Sequence, residues 1–251
     1  MEFEAYKELH ERIFCENGLD CFLSDSVSRE TEISKTETFW RLTEHMLAVN
    51  EQMNLTAVRD PESVIFLHYA DSLMIANEIP KRTTLCDIGC GAGFPSLPLA
   101  IAREDLSFFA VDSTEKKVRY VAETAEFLGL SRRFVARSAR AEELGRGALR
   151  ESFACVTARA VSNLRMLSEL CLPLVSVGGV FLSMKGANWQ MEYEDAENAI
   201  ALLGGVLERA NEFELWNGEK AEKRCLLVIR KERETPVKYP RAWGKIKNKP
   251  L

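Results

Sequence analysis

Asp87-Ile-Gly-Cys-Gly-Ala-Gly-Phe94 follows the run Thr83-Thr-Leu-Cys86, so the chain reads there as a buried strand emptying into a glycine-rich turn. Without a Cβ at Gly89, Gly91 and Gly93 the backbone bends tightly and lets a flat polar ligand lie against it, while a helix beginning near Phe94 and Pro95 closes the turn. The spacing selects the ligand. A dinucleotide fingerprint G-x-G-x-x-G would need its third glycine at Phe94, whereas G-x-G-x-G is filled, which disfavours nicotinamide and flavin cofactors. No Gly-Lys-Ser/Thr follows, so this is not a phosphate-gripping P-loop. The next strand-like run, Leu106-Ser-Phe-Phe-Ala-Val111, ends in Asp112, 23 residues after Gly89. A carboxylate at the tip of the second strand of a βαβ unit accepts hydrogen bonds from vicinal ribose hydroxyls. A nucleoside site with no diphosphate grip points to S-adenosylmethionine, which carries a sulfonium and an amino acid instead.

The elements that must position these groups follow from periodicity. Strands are expected near 83–88, 107–112, 133–137, 153–158 and 179–184, with helices near 94–103, 114–129, 162–172 and 189–204. Such alternation means a parallel sheet with helices on both faces. In the helix at 114–129 the residues Val118, Val121, Ala122, Ala125 and Leu128 form one apolar stripe, and Gly129 ends it. After Gly204-Gly205 two strand-like runs, Val206 to Trp216 and Arg224 to Ile229, are joined through Asn217-Gly218 as a hairpin. The expected fold is therefore α/β, of the class I S-adenosylmethionine-dependent methyltransferase (Rossmann-like) type, with a seven-stranded, mostly parallel sheet. Upstream, Ser34-Lys-Thr-Glu37 has capping-box spacing ahead of an amphipathic helix over 35–53, and a second helix is expected from Pro61 to about Glu78. The expected organisation is a helical cap over 1–80, a cofactor-binding domain over 81–235 and a basic tail over 236–251.

Composition excludes several classes. The 251 residues carry a net charge of −5, which argues against a uniformly basic nucleic-acid binder. Charge is polarised, however: residues 1–38 hold ten acidic and four basic side chains, residues 230–251 eight basic and two acidic. Any nucleic-acid contact is therefore local. Seven cysteines without a C-x-x-C pair, mostly in apolar runs, suit reduced core thiols, and with only His10, His45 and His68 no metal site is expected. Met1-Glu-Phe-Glu-Ala-Tyr6 has no basic or apolar leader, and no apolar stretch is long enough to span a bilayer. A cytoplasmic protein, monomeric and without membrane contact, is expected.

Several separated motifs agree on a family. Asn54-Leu-Thr-Ala-Val-Arg-Asp-Pro61, His68-Tyr-Ala-Asp-Ser72, Asp87 to Pro98, Val111-Asp-Ser113 with Lys117-Val-Arg-Tyr120, Arg159-Ala160 and Met184-Lys-Gly186 resemble the bacterial glucose-inhibited division protein B family, guanine-N7 methyltransferases of small-subunit ribosomal RNA. The ending Tyr239-Pro-Arg to Lys249-Pro-Leu251 resembles the basic tail of many members, whereas residues 1–33 match nothing and are read as an extra helix on the cap. The resemblance implies S-adenosylmethionine as cofactor and a guanosine of 16S rRNA as acceptor, in the 530-loop, on the small ribosomal subunit or an assembly intermediate. It implies cofactor contacts at Gly89 and Phe94 in the turn, beside Gly91 and Gly93 already read as part of the cofactor cradle, at Asp112, at Ala141 and Glu142 near the adenine, and at Arg159. The chain departs from the family pattern at Phe94, usually leucine, at Ser96, usually glycine, and at Ala158, often serine.

Guanine N7 carries an in-plane lone pair and no proton, so no catalytic acid or base is expected, and catalysis rests on positioning. Thr157-Ala-Arg-Ala160 stands where exocyclic-amine methyltransferases carry an Asn/Asp-Pro-Pro-aromatic signature, and no Pro-Cys nucleophile is present. His68, Arg159 and Lys185 are the candidates for positioning the substrate, with His68 and Asp71 three apart and able to pair. Lys238, Arg241, Lys245, Lys247 and Lys249 are the candidate RNA contacts, joined by Arg132, Arg133, Arg137 and Arg140. Tyr239 and Trp243 are candidates to stack on bases. Two alternatives stay open: a methyltransferase with another RNA, protein or small-molecule acceptor, and a cofactor- and RNA-binding regulator without turnover.

Overall fold

Strand alternation builds two cores on the two sides of one sheet. A computed structural model of the protein describes residues 1–22, 33–159 and 162–251; Ala160 of the Arg159-Ala160 motif lies outside them, as do residues 23–32 of the N-terminal segment. The strands are β1 (Thr84–Ile88), β2 (Ser107–Asp112), β3 (Phe134–Ser138), β4 (Phe153–Arg159), β5 (Val175–Gly186), β6 (Gly205–Trp216) and β7 (Ala221–Lys231), in the order β3-β2-β1-β4-β5-β7-β6. The first five pair in parallel, and β7 joins antiparallel to both β5 and β6. Successive side chains point to opposite faces. Leu85, Phe108, Ala110, Cys155 and Leu182 accordingly share one cluster, and Cys86, Ile88, Val111, Val156 and Phe181 share the other.

The first cluster also contains Tyr6, Phe14, Phe39, Met46 and Tyr69, so the N-terminal helices and the sheet bury one continuous core. Phe3–Glu16 is the extra helix. Lys35–Met53 is capped as its sequence requires: Ser34 Oγ accepts from Glu37 N at 3.1 Å, and Asn54 leaves the helix with φ of 50°. The expected helix from Pro61 to Glu78 is corrected. It starts with Pro61 at its first turn and Asp60 capping Ser63, but widens to π geometry over Ile65–Ala70, returns to α at Asp71–Leu73 and ends in a 3₁₀ turn, Ala76–Glu78. A π turn inserts a residue without breaking the helix, which apolar periodicity does not register. In the helix Glu115–Phe127, Ala122 is exposed rather than part of the buried stripe.

The basic tail, residues 236–251, lies against the second cluster, with Tyr239 and Ile246 buried and a short helix over Trp243–Asn248. Arg150 donates to the carbonyls of Tyr239 (2.7 Å) and Thr235, Arg146 to that of Pro240 (2.8 Å) and Arg165 to those of Pro250 (2.8 Å) and Leu251. Backbone carbonyls of an irregular segment need such donors when they are covered. No helix among the described residues is long and apolar enough to cross a membrane.

Candidate functional site

The carboxyl ends of β1, β2 and β4 converge on the glycine turn, where ligands of open α/β sheets bind. Gly89, Gly91 and Gly93 all have positive φ, at 74°, 56° and 91°. At Gly93 the need for glycine is double, because a Cβ would also sit 2.8 Å from Leu97 Cγ. Gly89 N and Cys90 N donate to Val111 O at 2.7 and 3.0 Å, which clamps the turn to the end of β2. Asp112 is thereby fixed at the turn. Its Oδ2 accepts from Gly91 N at 3.1 Å and its Oδ1 from Thr114 N at 2.8 Å.

Two clefts meet at Gly89 and Asp112. One runs past Ser113, Ala139, Arg140, Ala141 and Glu142 to Leu170 and Trp243. The other passes Cys90, Gly91, Ala92, Phe94 and Lys117 to Thr56, His68 and Arg159. All the expected cofactor residues but one line at least one of these two clefts. Gly93 is buried behind the turn and acts through backbone shape.

Beneath the turn Asp87 is fully buried, and neither carboxylate oxygen meets a partner in good hydrogen-bond geometry, although the Ser96 hydroxyl and amide stand close to it. Burial pushes its carboxyl up to about 7, against the opposing pull of Ser96 and the Arg159 charge. A buried carboxylate short of partners is a place for a cationic or hydrogen-bond-donating ligand group. Asp87 opens the glycine motif, yet its motif position carries no hint that the side chain stays short of partners.

Arg159 organises the far end of the second cleft. Its Nη1 donates to Asp71 Oδ2 at 2.8 Å and to Leu67 O at 3.0 Å, and its Nη2 lies 3.2 Å from His68 Nδ1. His68 Nε2 meets Thr56 Oγ1 at 3.0 Å, and the imidazole stacks on Phe94 with centroids 4.3 Å apart. Burial, with the Arg159 charge beside it, pushes the imidazole down to about 3, so the ring is neutral, accepting from Arg159 and donating to Thr56. The expected His68–Asp71 pair is therefore corrected: the guanidinium stands between them and bonds to both.

A third cleft continues from His68 and Arg159 to Met184, Lys185 and Arg224. Arg224 Nε reaches Asp71 Oδ1 at 3.1 Å, so Asp71 bridges two arginines. Lys185, 8% exposed, pairs with Glu192 at 2.8 Å. The structure thus brings together His68, Arg159 and Lys185 and adds Thr56, Asp71, Asp87, Lys117, Arg224 and Glu192. Thr56 lay in the Asn-Leu-Thr motif, a signal for the loop if not for the contact. Arg224 had none, since a basic residue in a strand is ordinary.

The candidate RNA contacts divide. Lys238, Lys245, Lys247 and Lys249 are exposed, as are Arg132 and Arg137 to a greater or lesser extent. Arg241 is corrected: its N, Nε and Nη2 bind the fully buried Glu169 at 2.8, 2.9 and 2.6 Å. Arg133 donates to Ala100 O at 2.6 Å inside the domain, and Arg140 pairs with Glu142 at 2.6 Å. Tyr239 is buried, hence not free to stack, and Trp243 faces the first cleft.

The family model described as GidB, rRNA small subunit methyltransferase G, matches residues 35–218. A ribosomal RNA small subunit methyltransferase G of Exiguobacterium sp. is 44% identical over 225 residues, covering 88% of this chain and 92% of that protein. The protein of the same name from Staphylococcus haemolyticus is 37% identical over 242 residues, covering 94% and 98%. Among solved structures, an O-methyltransferase from Bacillus cereus in complex with SAH is similar with a TM-score of 0.53 at 16% identity, over 87% of this chain and all of that one, a likeness of fold alone.

Proposed function

The chain belongs to the GidB family, rRNA small subunit methyltransferase G, and on that premise we propose that it transfers a methyl group from S-adenosylmethionine to N7 of a guanosine in 16S rRNA. The observation that carries the reading is the junction at Gly89 and Asp112, where a cleft lined by Asp112, Ala141, Glu142 and Trp243 meets one walled by neutral His68 and by Arg159. The residues present fit the cofactor. Asp112 holds both oxygens in place through backbone amides and keeps lone pairs for two ribose hydroxyls. Asp87 is short of partners and suits an ammonium group nearby. Ala141 and Glu142 line the adenine end.

When bound, S-adenosylmethionine supplies an electrophilic methyl group on its sulfonium. The protein's part is to aim the acceptor. His68 has both ring nitrogens engaged and stays neutral at physiological pH, so it positions rather than accepts a proton. Guanine N7 carries no proton to remove, which suits a site built for positioning. Arg159, locked by Asp71, Leu67 and His68, is rigid enough to orient a base or phosphate without reorganising. Lys185 and Arg224 extend positive charge along the third cleft, and the exposed tail lysines add a phosphate grip.

Methyl transfer from labelled S-adenosylmethionine to small subunits from cells lacking this protein, followed by aniline cleavage at N7-methylguanosine, tests the proposal. A strand break at one guanosine is expected. Label incorporated without cleavage overturns the N7 assignment, and no label overturns the acceptor.

Asp112→Ala is expected to weaken S-adenosylhomocysteine binding by about 1–3 kcal/mol through loss of charge-assisted bonds to ribose. Isothermal titration calorimetry reads this directly, and an unchanged Kd contradicts the ribose role. Replacing Lys245, Lys247 and Lys249 by glutamine is expected to flatten the salt dependence of RNA affinity, by roughly 0.7–0.9 in log–log slope for each phosphate the variant no longer neutralises. Filter binding across a salt series checks it; the parent's slope in the variant would remove those lysines from the interface.

A further inference from the structure

Trp243 stands at the mouth of the cleft that also exposes Asp112, Ala141 and Glu142, and its place there is imposed from both sides along the chain. Two residues earlier Arg241 is bound to buried Glu169, and three residues later Ile246 is completely buried. Across the cleft mouth, the Arg140 guanidinium lies 5.1 Å from the indole centroid while its Nε holds Glu142 at 2.6 Å. The C-terminal helix is thus tied by Arg140 to the loop leaving β3, a cleft-lining segment anchored beside Asp112, whose carbonyl accepts from Ala139 N at 3.1 Å. Trp243 is the one aromatic side chain among the described residues lining this cleft, and the ring is only half-buried.

We infer that the C-terminal helix is a wall of the cofactor site and that Trp243 packs against the purine of the bound nucleoside. The inference rests on reading this cleft as the place of S-adenosylmethionine. A large aromatic face left open toward a cleft gains contact area when a planar base covers it, and every purine offers a π-face for that purpose. Arg140, lying over the indole and charge-paired with Glu142, holds the ring against swinging into solvent. The tail therefore serves the cofactor as well as the RNA, and the two roles fall on different residues: Trp243 toward the cleft, Lys245 and Lys247 toward solvent.

The test uses the full chain and S-adenosylhomocysteine in calorimetry. Trp243→Ala is expected to raise Kd by roughly tenfold and Trp243→Phe by less than about threefold, in line with base–aromatic stacking. A second measurement does not depend on the alanine variant folding. In a protein with Trp40, Trp189 and Trp216 changed to phenylalanine, the emission of Trp243 is expected to change on saturation with adenosine and with S-adenosylhomocysteine, but not with methionine. An unchanged Kd in a folded Trp243→Ala variant, or Trp243 emission indifferent to adenosine while calorimetry records binding, overturns the inference. Failure of the parent protein to bind S-adenosylhomocysteine is a different result, which overturns the cofactor reading on which it stands.

Discussion

Arg159→Ala is expected to abolish most methyl transfer, by about a hundredfold or more, and to destabilise the fold by roughly 2–4 kcal/mol. Asp71 is 8% exposed and shares its charge between Arg159 and Arg224, so removing one partner leaves a half-compensated buried carboxylate. The cost falls somewhat below that of a fully orphaned charge because Arg224 remains. Removal also frees Leu67 O and His68 Nδ1, so the imidazole, which Arg159 helps to hold in place over Phe94, loses an anchor. Two measurements separate the effects. Denaturant unfolding reads the stability, and single-turnover transfer on folded variant reads the positioning. Asp71→Asn added to Arg159→Ala should recover part of the stability, because the half-compensated carboxylate is gone while Arg224 keeps Glu222, without recovering transfer. Parent-like transfer by Arg159→Ala would remove this guanidinium from the machinery.

Arg241→Ala is expected to cost about 3 kcal/mol of stability, a consequence that its place in a basic tail does not suggest. Glu169 is completely buried in the helix Leu164–Cys171, and the Arg241 side chain supplies two of the groups that its oxygens accept from, the third being the Arg241 amide. Truncating the side chain strands a carboxylate in the second core. Paired replacement of Glu169 and Arg241 by leucine should return most of the loss, since no buried charge then remains. Urea unfolding of the three variants decides it, and a stable Arg241→Ala protein with weakened RNA binding would restore the residue to the RNA interface. Deleting residues 236–251 is therefore a poor test of RNA binding. The deletion would expose the apolar surface under Tyr239 and Ile246 and leave Glu169 unpaired, whereas glutamine at the exposed lysines leaves the packing intact.

Residues far apart in sequence carry most of what separates this site from a generic cofactor cleft. Arg159 bonds to Asp71 across 88 positions and Arg241 to Glu169 across 72, and each pair exists only because strands and helices pack at particular angles. The π segment at Ile65–Ala70 sets where His68 and Asp71 point around their helix, and it buries Ile65, Phe66, Tyr69 and Ala70 in the core it shares with the N-terminal helices. Arg224 has ordinary sequence surroundings, so nothing local distinguishes it from a surface charge, and the motif that holds Asp71 gives no sign of its two arginine partners. Trp243 has the same difficulty, because a tryptophan among lysines reads as a nucleic-acid contact until the chain is seen folding back over the sheet.

The alternation of strands and helices, the glycine turn, Asp112 at the tip of β2, the capped helix Lys35–Met53 and the final hairpin were all legible in the residues themselves. Each depends on short-range physics: period-two burial, positive φ that glycine adopts at low cost, an N-cap hydroxyl reaching an amide three residues on. The cofactor class and the methyltransferase fold follow from those elements. Which charges are spent within the fold and which stay exposed was decided by tertiary structure alone. A cation's role depends on whether a carboxylate is buried beside it, and burial is a property of the packed core, not of the neighbouring sequence.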